Sequence, residues 1–166
     1  RGSSNYGQKT LAANVNDWGG GDYRDIMTGV DALIARGISD PDKLAHIGWS
    51  YGGYMTAWVI TQTTRFKAAM VGAGLTNMWS MYGTNDIPSV LIAYFGGIPN
   101  KQTLPLYLDR SAMSHIDKAT GQITSIGCTK GCVGKPLTRT VRGNKVLQHV
   151  QAFAEVGKDR IFDDLA

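Results

Sequence analysis

A chain of 166 residues, 43% hydrophobic and 18% charged, has the composition of one globular domain built on a single core. Its net charge of +4 is spread along the sequence rather than gathered, which argues against a nucleic-acid surface. No apolar run approaches the ~20 residues of a membrane-spanning helix and no signal-peptide core opens the chain, so a soluble protein is expected.

Residues 1–8 have no helix or strand period, and with Arg1 rather than Met at the start the sequence reads as cut from something longer. From Asp22 the pattern is helical: Ile26, Met27, Val30, Leu33 and Ile34 form one apolar stripe at period 3.6. Asp22 and Asp25 suit its first turn, and Gly37 is a natural stop. Asp40-Pro41-Asp42 reads as a turn. Residues 44–49 and 68–73 are short apolar runs, each predicting a strand buried on both faces of a parallel sheet. Between them, residues 51–63 predict a second helix. Helix, strand, helix, strand implies an α/β fold with right-handed crossovers.

Past Gly74 the pattern weakens to loops with short helices over 89–95 and 111–118. Residues 119–150 hold Lys130, Lys135, Arg139, Arg142 and Lys145 but no Asp or Glu, and show no apolar alternation that predicts a strand. Without aromatic interleaving, this basic run reads as a solvated tail rather than a phosphate-binding surface. A helical stripe returns only over 145–156.

The chemistry lies in Gly48-Trp49-Ser50-Tyr51-Gly52-Gly53, a G-x-S-x-G match with a predicted strand before it and a helix after it. A nucleophilic serine in this setting sits at a sharp, strained turn that lifts its Oγ clear of the sheet. Side chains two positions either side would collide across that turn, hence Gly48 and Gly52, with Gly53 extending the pattern. The Tyr51 backbone N–H, at the helix N-terminus, is placed to stabilise an oxyanion.

A serine nucleophile needs a base. His46 lies in the strand leading to Ser50 and reads as a packing histidine. His115 and His149 sit in a segment before residue 119 and in the tail, and neither has a setting that marks a base. Cys128 and Cys132, spaced C-x-x-x-C, have no second pair and no nearby His, so no metal site is implied. They are also too few for a disulfide framework, which favours the cytoplasm.

Trp18-Gly19-Gly20-Gly21-Asp22-Tyr23, a helix, and then Gly48 to Tyr54 together resemble the prolyl-oligopeptidase family of serine peptidases, in the manner of its dipeptidyl-peptidase and acylaminoacyl-peptidase members. Arg1-Gly2-Ser3, Tyr6-Gly7 and Tyr94-Phe95-Gly96-Gly97 fit the same family. The resemblance covers residues 1–118 and implies the central part of an α/β-hydrolase domain that cleaves short peptides without a cofactor. It also implies a β-propeller on the N-terminal side in the full-length parent. The family shapes an apolar substrate pocket after the second strand, where this chain has Leu75, Trp79 and Tyr82, with Tyr51 and Tyr54 nearby.

Departures stand beside the likeness. The family's oxyanion loop should precede Arg1. Its Asp and His motifs, expected beyond Lys118, are not found, and Ala112 stands where the family has Pro. Residues 119–166 therefore read as an unmatched segment, frame-shifted or foreign. A carboxylesterase or lipase on the same fold, and a remnant without activity, are the alternatives. With only two strands supplied, the isolated chain is expected to be partly molten or to aggregate through open sheet edges.

Overall fold

A computed structural model of the chain describes residues 1–119, 122–127 and 137–142. A short helix α1 (Gln8–Leu11) and a 3-10 turn (Ala12–Asn14) lead into α2 (Gly21–Ala35). Next come β1 (Ala45–Trp49), α3 (Tyr51–Gln62) and β2 (Ala68–Gly72). Three short helices follow, α4 (Met78–Thr84), α5 (Pro88–Tyr94) and α6 (Leu104–Asp109), then a 3-10 segment (Ala112–Lys118). Two further strands are β3 (Gln122–Gly127) and β4 (Leu137–Arg142). Among the described residues the sheet order is β1-β2-β3-β4, parallel through β3, with β4 antiparallel.

Helix α2 follows its amphipathic stripe. Ile26, Met27 and Val30 pack on the core, while Leu33, at the edge of the stripe, is 40% exposed. Gly37 ends the helix with φ +68, a left-handed conformation that glycine adopts without Cβ strain. Helix α3 is apolar all round and buried from Gly53 to Thr61, lying against both β1 and β2. Tyr54, Trp58 and Val59 join Trp18, Phe66, Met78, Leu91, Phe95 and Tyr107 in the main core.

Two expectations are corrected. The segment after Ala119 does hold strands, since β3 continues the sheet beside β2, with Ala69 opposite Ile123 and Gly72 opposite Ile126. Its Gln-Ile-Thr-Ser-Ile-Gly sequence is rich in β-branched residues and takes its strand conformation by pairing, without an apolar run. Strand β1 is not buried on both faces. It lies at the sheet edge, and its residues alternate, with Ile47 65% and Trp49 54% exposed on the face away from α3. Helix α4 is an element that the weak pattern past Gly74 concealed. Asn77 caps it by accepting the Ser80 N–H at 3.0 Å. The segment 145–156, with its helical stripe, lies outside the described residues.

Candidate active site

Strand β1 ends at Trp49 and α3 begins at Tyr51, which leaves Ser50 alone at the junction. Its dihedrals, φ 56 and ψ −117, are of a kind that only a surrounding structure imposes on a residue with a Cβ. Two hydrogen bonds impose it here. The Ser50 N–H donates to the Gly72 carbonyl at 2.9 Å, and the Ser50 carbonyl accepts from the Tyr54 N–H at 2.9 Å. Held between β2 and α3 in this way, Ser50 is exposed.

The elbow glycines have different reasons. A Cβ on Gly48 would collide with the Gly52 carbonyl and come within 2.8 Å of Thr56 Oγ1. A Cβ on Gly53 would strike the Gly72 carbonyl and approach Gly74 Cα at 2.8 Å. Gly52 differs from expectation, because a Cβ there meets nothing within 4 Å. Its backbone carbonyl, rather than its missing side chain, fills the space across from Gly48.

As the first residue of α3, Tyr51 has an N–H with no acceptor inside its own helix, which leaves it available to an incoming anion. Its ring is clamped. Trp18 meets it edge-on with centroids 4.8 Å apart, and the Tyr51 hydroxyl donates to Asp22 Oδ2. Asn14 Nδ2 lies 3.4 Å from the same hydroxyl. Burial first, and then the Asp22 carboxylate, push the Tyr51 hydroxyl pKa up, so it is held as a protonated donor. Asp22, only 5% exposed, also accepts the Gly19 N–H at 3.2 Å and the Tyr23 N–H at 2.8 Å.

His46 and His115 are occupied away from Ser50. His46 Nδ1 lies 2.8 Å from Thr56 Oγ1, its ring stands edge-on to Phe66, and burial lowers its pKa. His115 Nε2 lies 2.8 Å from the Asp109 carbonyl, with its ring against Trp58. His149 and the cysteines Cys128 and Cys132 lie outside the described residues, as do Lys130, Lys135 and Lys145. Arg139 and Arg142 fall in β4. Among the described residues no cluster of His, Cys, Asp or Glu could hold a metal ion, and no helix is long and apolar enough to cross a membrane.

The residues expected to shape a substrate pocket separate into two groups. Tyr54 is wholly buried in the core, so it packs rather than lines a surface. Leu75 and Tyr82 are half-buried against that core, and Trp79 is 50% exposed. The contact between Tyr51 and Asp22 is one that sequence reasoning missed. Its signal was the Gly-Gly-Gly-Asp run, which looked like a helix start and is also an arm reaching the elbow.

The model of the prolyl oligopeptidase family matches residues 1–130. An uncharacterized peptidase of Bacillus subtilis is 47% identical over 88 residues, covering 52% of this chain and 13% of that protein. The acylamino-acid-releasing enzyme of Arabidopsis thaliana is 32% identical over 126 residues, 71% of this chain and 16% of the enzyme. Among solved structures, the Pyrococcus horikoshii acylaminoacyl peptidase superposes with a TM-score of 0.69 at 26% identity, over 75% of this chain and 20% of its own. A Mycobacterium tuberculosis puromycin-hydrolyzing peptidase gives 0.65 at 32% identity, over 71% of this chain and 18% of its own. The chain thus spans a fifth or less of the length of each of these proteins.

Proposed function

This chain belongs to the prolyl oligopeptidase family, with an α/β-hydrolase fold, and on that premise we propose that it is the nucleophile-bearing part of a serine peptidase acting on short peptides. The observation that carries the reading is Ser50, exposed at a strand–helix junction with φ 56. In this reading Ser50 Oγ attacks the peptide carbonyl, and the Tyr51 N–H helps hold the oxyanion. A His supported by an Asp takes the serine proton and returns it to the leaving amine. Leu75, Tyr82 and Trp79 receive the side chain preceding the scissile bond. The related peptidases support peptides as the substrate class. A β-propeller on the N-terminal side belongs to the same proposal, as does a cytoplasmic location, favoured by two cysteines.

Among the described residues neither His46 nor His115 is hydrogen-bonded to Ser50, and the family's Asp and His motifs are not found beyond Lys118, so turnover by this polypeptide alone is expected to be low. In subtilisin, loss of triad members costs up to roughly 10⁶-fold in rate. The test is a fluorophosphonate probe with the modified residue mapped by mass spectrometry. Slow label confined to Ser50 and abolished by Ser50→Ala is the expected result. Label on other hydroxyls, unchanged in Ser50→Ala, would remove the nucleophile assignment, and rapid label on Ser50 would mean that a base is present in the chain.

The division at residue 118, with a frame-shifted or foreign segment beyond it, is proposed from the missing Asp and His motifs. The pairing of β3 with β2 and the family match to residue 130 weigh against so early a boundary. Sequencing the encoding DNA across position 119 decides it. An alternative frame with an apolar strand, an Asp and a His-Gly loop supports the division, and none such in either frame removes it.

A further inference from the structure

Trp18 to Asp22 carries part of the family resemblance, and nothing in the proposed reaction uses it. In the fold it reaches the elbow. Gly19 is seated by the Trp58 Nε1–H, which donates to its carbonyl at 2.7 Å, and Gly19 adopts φ +76. Gly21 is seated by its own N–H, which donates to Asp17 Oδ2 at 2.8 Å. Directly after these anchors Asp22 turns inward, takes the N–H groups of Gly19 and Tyr23, and accepts the hydroxyl of Tyr51, 29 residues away. Trp18 covers the flank of the same ring. Tyr51 is the first residue of α3, so fixing its side chain at two points limits rotation of the peptide whose N–H faces the site.

We propose that Asp22 is a positioning residue: through the Tyr51 hydroxyl, and with Trp18 beside the ring, it latches the first turn of α3 and so aims the Tyr51 N–H at the oxyanion. The inference rests on Ser50 being the nucleophile. A buried carboxylate satisfied by three donors is costly to leave half-satisfied, which makes the latch close firmly rather than sample open states.

The experiment compares the full chain with Tyr51→Phe, Asp22→Asn, Asp22→Ala and the double variant Tyr51→Phe/Asp22→Ala. Amide hydrogen exchange is read at Tyr54, whose N–H closes the first turn onto Ser50, and at Ile60 farther along the same helix. Tyr51→Phe keeps the ring and its packing and removes only the hydroxyl. It is expected to speed exchange at Tyr54 about tenfold or more, the size of one hydrogen bond to a carboxylate, and to leave Ile60 unchanged. The double variant should add nothing to the larger single effect, and Asp22→Asn, which keeps an acceptor oxygen, should recover part of what Asp22→Ala loses. Fluorophosphonate label gained at Ser50 over a fixed long exposure should fall in Tyr51→Phe by a comparable factor.

Equal acceleration at Tyr54 and Ile60, no change at Tyr54, or an unprotected Tyr54 in the parent chain would overturn the latch. Unchanged Ser50 labelling despite a loosened first turn would overturn its positioning role. If Asp22→Ala does not fold, Tyr51→Phe still decides. A parent chain that takes no label at Ser50 ends the nucleophile reading and the positioning role with it, an outcome seen separately from the exchange data.

Discussion

At Gly48 and Gly52, two residues with the same place in a motif answer to different physics. The Gly48 α-hydrogens lie against the Gly52 carbonyl, so any side chain there must displace backbone of α3. Gly52 has open space where its Cβ would be, and it lies within a helix, where glycine costs about 0.5–1 kcal/mol relative to alanine. Gly48→Ala is therefore expected to lower stability by about 2–3 kcal/mol, in the upper range of overpacking costs. Gly52→Ala should be neutral or stabilising by up to about 1 kcal/mol. Urea unfolding followed by tryptophan fluorescence at submicromolar concentration measures both. Equal losses for the two variants would show that the elbow relaxes as a unit and that the distinction is wrong.

At the scale of elements, β1 and α3 are joined by a polar contact inside the packing layer. Thr56 Oγ1 donates to the Gly52 carbonyl at 2.9 Å, which leaves its lone pairs to accept from His46 Nδ1–H at 2.8 Å. That arrangement suits a neutral imidazole, and burial lowers the His46 pKa from 6.5. The unfolded chain takes up a proton below about pH 6.5 and the folded chain does so only at lower pH, so stability rises with pH across that interval. Acidification from pH 7 to pH 5 is thus expected to destabilise the chain, with a slope of at most about 1.4 kcal/mol per pH unit from this group. His46→Phe, which keeps a ring against Phe66, should flatten the slope. An identical pH profile in parent and variant would show that His46 contributes nothing to it. Part of this framework is announced locally in the sequence: the period of α2, the apolar runs of β1 and β2, and the glycines of the elbow are local signals. The β3 strand and the Asp22–Tyr51 contact are not local. One takes its conformation from β2, and the other joins residues far apart in sequence through a hydroxyl that any tyrosine carries.

At the scale of the whole molecule, the described helices that pack on β1 and β2 lie on one side of the sheet. Helix α3 covers the face formed by His46, Gly48, Ala69 and Val71, and α2 packs on the core that α3 builds. On the other face Ile47 is 65% and Trp49 54% exposed, at an edge strand whose outer backbone groups have no strand partner among the described residues. An apolar face beside an open edge is the arrangement that draws chains together, by burial of side chains and by strand pairing at once. Strand β3 pairs with the second edge of β2, so among the described residues the open edges lie at β1 and β4, and only β1 joins an open edge to exposed apolar side chains that the structure describes. The chain is expected to self-associate at tens of micromolar, roughly, and to dissociate on dilution, as apolar contacts between small faces do. Light scattering coupled to size exclusion reads this directly. Ile47→Lys together with Trp49→Lys adds charge to an edge strand at two positions outside the core clusters, with the Trp49 ring covering Gly72 of β2, and should return the chain to a monomer. A parent chain that stays monomeric across the concentration series would mean that this face is covered in solution. A double variant that associates as before would move the contact elsewhere on the surface.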